Sequence, residues 1–66
     1  MSEFAELELN EAKRQIGSML RKLEKCVPKL RDGTAQRALA VRRVEALKIS
    51  LALIERDLNG YLKESV

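Results

Sequence analysis

The chain has no histidine and no tryptophan, and its 66 residues include one cysteine, one proline and two aromatics, Phe4 and Tyr61. Each scarcity removes a class of function. Without histidine the commonest general base and metal ligand is missing, and a single cysteine makes no Cys/His zinc site within one chain. The lone Cys26 also rules out an intrachain disulfide, which points to a reducing, cytoplasmic setting. No apolar run approaches the roughly 20 residues needed to span a bilayer. The opening stretch MSEFAELELNE is acidic and lacks the basic-then-apolar order of a signal peptide. No glycine-rich phosphate loop and no nucleophile elbow occurs. The expectation is therefore a protein that is not an enzyme, with no cofactor, no metal, no small-molecule substrate and no membrane association.

What is present favours helix. Hydrophobic residues make up 45% and charged residues 35%, a balance that folds rather than stays disordered. Ala, Leu, Glu, Lys and Arg dominate while β-branched residues are few. Ala5, Leu9, Ala12, Ile16, Met19, Leu23, Cys26 and Leu30 recur in four-three steps, a heptad seam with Leu20 and Val27 widening one side. Ser2 is a candidate N-cap, followed by Glu3, Glu6 and Glu8 at the positive end of the helix dipole. This reads as one helix over about residues 2–27. Pro28 ends or kinks it, and Asp32-Gly33-Thr34 is the strongest turn signal in the chain.

A second helix then runs over about residues 34–63. Its stripe is Val44, Leu47, Leu51, Ile54, Leu58 and Tyr61, and Asn59-Gly60 is a candidate stop inside it. Folding the chain back at Gly33 sets Leu23 beside Val44, Ile16 beside Leu51 and Leu9 beside Leu58. Cys26 falls opposite Ala40, which assigns it to buried packing rather than to thiol chemistry. The fold class is all-α: residues 1–66 form a single two-helix antiparallel hairpin. Gly17, in mid-helix, is either a tolerated surface glycine or a point where a partner helix approaches closely.

A hairpin this short buries little core and has no disulfide or metal to reinforce it. Leu20, Val27, Val41, Ile49, Leu53 and Leu62 would stay largely exposed, more apolar surface than a monomer usually shows. The expectation is a homodimer joined through these residues into a four-helix bundle.

Charge is uneven along the chain. Between Arg21 and Arg43 stand eight basic residues, Arg21, Lys22, Lys25, Lys29, Arg31, Arg37, Arg42 and Arg43, against Glu24 and Asp32, a net +6. Residues 1–20 carry −2 and residues 44–66 carry −1. The turn end of the hairpin is thus basic and the open end mildly acidic. Basic side chains near a helix C-terminus complement the dipole and keep a small bundle in solution. They can also neutralise phosphates without reading sequence. No aromatic interleaves them, so there is no base-stacking platform, and no known DNA- or RNA-binding motif occurs. Function is therefore expected to be that of a small interaction or regulatory protein that binds a protein partner. The alternative is a nucleic-acid-binding regulator that uses the basic turn end.

Overall fold

The computed structural model describes residues 3–64 and is all-helical over them, with two helices packed against each other. Helix α1 covers Glu6–Cys26, a one-turn 3₁₀ segment covers Val27–Lys29, and helix α2 covers Ala35–Glu64. The hairpin is a rod of 49 × 16 × 15 Å.

Helix α1 begins later than the sequence suggests. Ser2, the expected cap, lies outside the described residues. The Ala5 backbone is extended, and its N–H donates to Glu8 Oε1 at 3.0 Å, one half of a capping box. The Tyr61 hydroxyl donates to the Phe4 carbonyl, which a longer helix would have used internally. That bond also ties the start of α1 to the far end of α2. Pro28 enters the 3₁₀ turn, where its missing N–H costs least, and the Leu30 N–H returns to the Val27 carbonyl at 3.0 Å.

Gly33 has φ +80°, the left-handed conformation that the turn requires. Thr34 then caps α2: its Oγ1 accepts from the Arg37 N–H at 3.2 Å and donates to the Arg31 carbonyl at 2.7 Å. Asp32 pairs with the Arg37 guanidinium across the same turn. At the other end, α2 runs through Asn59-Gly60 without a break. One glycine costs about 1 kcal/mol of helix propensity. The half-buried Leu58 and Tyr61 on either side hold the last turns against α1 and outweigh that cost.

The inward stripe of α2 is the expected one. Ala40 and Val44 are buried, and Leu47, Leu51, Ile54, Leu58 and Tyr61 are half-buried. The stripe of α1 differs from the seam read from sequence. Leu9 is buried, and Ala12, Ile16, Leu20, Leu23 and Val27 are half-buried, whereas Met19 and Cys26 are exposed. The assignment of Cys26 to the core is therefore corrected. The cause is geometric. An α-helix advances about 100° per residue, so a strict seven-residue repeat slips backward by about 20° each time. Measured from Leu9, the residues Ile16, Leu20, Leu23 and Val27 all lie within about 40° of one direction. Met19 and Cys26 have drifted to about 80° and 100° from it.

The hairpin register agrees with the fold-back at Gly33. Lys13 Nζ lies 4.0 Å from Glu55 Oε1, and the groove that holds Met19 and Leu23 also holds Arg43, Ala46 and Leu47. Only Leu9, Ala40 and Val44 count as buried core among the described residues.

Candidate interaction surfaces

Because the two helices are antiparallel, residues displaced in the same rotational sense from each inward stripe emerge on the same side of the hairpin. This gives the molecule two lateral sides of different character. One is polar. Asn10, Lys13, Arg14, Gly17 and Arg21 of α1 share it with Glu55 of α2, and Lys13 and Glu55 bridge the helices there. The bridge is solvent-exposed on both partners, so it contributes less than about 1 kcal/mol. Arg14 lies on this side too; its Nε and Nη2 donate to Glu11 at 3.1 and 2.7 Å, and Gln15 donates to the same carboxylate at 2.9 Å. The Arg14 hydrogen bonds, followed by that from Gln15, hold the Glu11 carboxyl below the usual carboxylate range.

The opposite side is apolar. Met19, Leu23 and Cys26 of α1 and Ala46 and Leu47 of α2 line an open groove of about 500 Å³, with Lys22 and Arg43 at its edge. Leu39 and Leu53 continue this side along α2, 45% and 50% exposed. Ser50 stands between them with its hydroxyl turned back to the Ala46 carbonyl at 2.9 Å, which satisfies its polarity locally.

The six residues expected to form a dimer surface do not share one face. Leu20 and Val27 point at α2 and are half-buried within the hairpin, where Val27 helps line a small recess with Val41 and Val44. Val41 is exposed on the polar side of α2, Ile49 faces directly away from α1, and Leu62 is exposed at the open end. Leu53 alone of the six flanks the apolar groove. The face that sequence reasoning missed is carried by Met19, Cys26, Leu39 and Ala46. Its signal was present in the chain: Leu39, Ala46 and Leu53 are spaced by seven, as are Ala12, Met19 and Cys26.

The eight basic residues do gather toward the turn end. Arg21, Lys22, Lys25, Lys29, Arg31, Arg42 and Arg43 are exposed, and none forms an ion pair among the described residues. Arg37 is different, half-buried and paired with Asp32. The seven others encircle the rod rather than forming one stripe, because Arg21 emerges on the polar side, Arg43 on the apolar side and Arg42 on the back of α2.

Among the described residues no group of three or more His, Cys, Asp or Glu is placed to hold a metal ion. No helix among them is long and apolar enough to cross a membrane. Comparison with known proteins finds no matching family model, no similar curated protein and no similar solved structure.

Proposed function

We propose that the protein is a non-enzymatic interaction module: a helical hairpin that pairs with a second copy into a four-helix bundle and binds a protein partner. One observation carries this reading. Among the described residues eight large hydrophobics are exposed, while three residues are buried in the core. A rod two helices wide covers one stripe of each helix, and the remaining apolar surface needs another macromolecule to cover it. Sedimentation equilibrium tests the pairing: the chain should have the mass of two copies, and Leu53→Glu should reduce it to one. A one-copy mass for the unsubstituted chain would refute the pairing, and a two-copy mass that survives Leu53→Glu would refute an interface through Leu53. The protein-partner step is tested by alanine substitution at the exposed residues that stay outside the dimer, such as Leu7 and Ile49. These changes should weaken capture of the partner and leave the dimer mass unchanged.

A second reading rests on the seven exposed basic residues near the turn that form no ion pair among the described residues. Charges so placed attract a phosphate backbone without base readout, and binding would fall steeply with salt. Fluorescence anisotropy with generic duplex DNA and RNA tests it. A signal at low salt that is abolished by charge reversal at Arg21, Lys25 and Arg42 would favour this reading over the first.

A further inference from the structure

Resting on the dimer reading above, we infer that the second copy packs on the Met19–Leu53 side of the hairpin and in the antiparallel sense, each turn end lying over the partner's open end.

The choice of a second copy rests on area. The chain exposes 5407 Å². A compact protein of 7.5 kDa exposes about 4,200 Å². The excess, roughly 1,200 Å², is on the scale of the ~800 Å² that each partner in a stable dimer covers. Of the two sides, the polar one already carries the Lys13–Glu55 bridge and charged groups along its length. The apolar groove, extended by Leu39 and Leu53, is the side on which cover by a second copy removes carbon from water.

The sense follows from charge and from side-chain size. Two such faces can be related by a two-fold axis along the rod or across it. An axis along the rod sets α1 of one copy over α2 of the other at the same height. Lys22 and Arg43 line one groove at one level, so that arrangement stacks four cations in a single layer and brings two net +6 ends together. An axis across the rod sets each helix antiparallel on its own copy, with the centre at Met19 on α1 and near Ser50 on α2. The basic turn end then meets the acidic open end. At this register Arg43 falls level with the partner's Asp57, Leu53 with the partner's Ala46, Leu39 with the partner's Gly60, and Cys26 with the partner's Ala12. Leucine meets alanine or glycine in two of these layers, as close packing favours. Among the described residues nothing lies within 4 Å of the position a Gly60 Cβ would take, which leaves room there for a partner's side chain.

Disulfide trapping tests this with two single-cysteine proteins, both in a Cys26→Ser background: Met19→Cys and Ser50→Cys. Helical circular dichroism and a two-copy mass are checked first for each. Each protein alone should then oxidise to a covalent dimer under diamide, because each position sits on the proposed axis within disulfide reach of itself. An equal mixture of the two should give only 19–19 and 50–50 links. A 19–50 link between chains would establish the parallel sense and overturn the inference. A two-copy mass with neither self-link would place the interface on another face and overturn it too, leaving the dimer intact. A one-copy mass for the unsubstituted protein would instead refute the dimer reading itself.

Discussion

Replacing Gly17 by alanine should stabilise this protein, and the size and sign of the effect report which side of the hairpin a partner covers. Gly17 lies in the middle of α1, where glycine costs about 0.5–1 kcal/mol relative to alanine through the backbone freedom it loses. A Cβ built there has as its nearest neighbour Arg21 Nη1 at 3.5 Å, ordinary contact with the free end of a long side chain. Nothing in α2 obstructs it. The gain should therefore be close to the full propensity difference, about 1–2 kcal/mol per dimer because both copies benefit. For a domain of this size that raises the melting temperature by roughly 2–8 °C. Gly17 sits on the polar side, so with the partner on the Met19–Leu53 side the added methyl groups remain in solvent and dimerisation is untouched. Thermal unfolding by circular dichroism at matched concentrations, with sedimentation of both proteins, measures both quantities. A lowered melting temperature or a weakened dimer would show a helix packed closely over Gly17, since overfilling a tight contact costs typically about 1–3 kcal/mol. That result would refute the assignment of the covered side.

Further outcomes follow from the local structure. Leu9→Ala removes the largest of the three buried core residues and should cost about 2–5 kcal/mol, read as a fall in the urea midpoint; a negligible change would mean that the open end does not close on Leu9. Thr34→Ala removes the oxygen that accepts the Arg37 N–H and should cost about 0.5–2 kcal/mol, with Thr34→Ser recovering most of it. Glu11 is held below the ordinary carboxylate range, so its contribution to stability is present above the unfolded-state value and is lost as pH falls through the folded one. Arg14→Ala should move the Glu11 titration, followed by carboxyl ¹³C shifts, back up toward the ordinary value; an unmoved titration would refute the pairing.

Much of the hairpin can be read from the chain because its signals are local. The inward stripe of α2, the break at Pro28, the left-handed turn at Gly33 and the Thr34 cap depend on residues a few positions apart. Helix period, proline stereochemistry and glycine freedom suffice to place them. The fold-back register follows as well, since a hairpin with one short turn has few ways to superpose two apolar stripes. The basic turn end is legible for the same reason, as charge needs only the order of residues once the chain is folded back.

Two features were decided by tertiary structure, and a third by the twist of the helix itself. The start of α1 at Glu6 depends on Tyr61 reaching the Phe4 carbonyl from 57 positions away, a contact that no local pattern encodes. The passage of α2 through Gly60 depends on the packing of Leu58 and Tyr61 against α1, which outweighs the local preference to stop. The third concerns function most closely. Heptad counting placed Met19 and Cys26 inside and left Leu20 and Val27 outside, whereas the 3.6-residue turn exchanges them. A difference of a tenth of a residue per turn shifts the stripe by about 20° over one heptad and by about 60° over three. Sequence alone therefore determined that apolar surface would be left over, while the helical twist decided which side of the hairpin carries it.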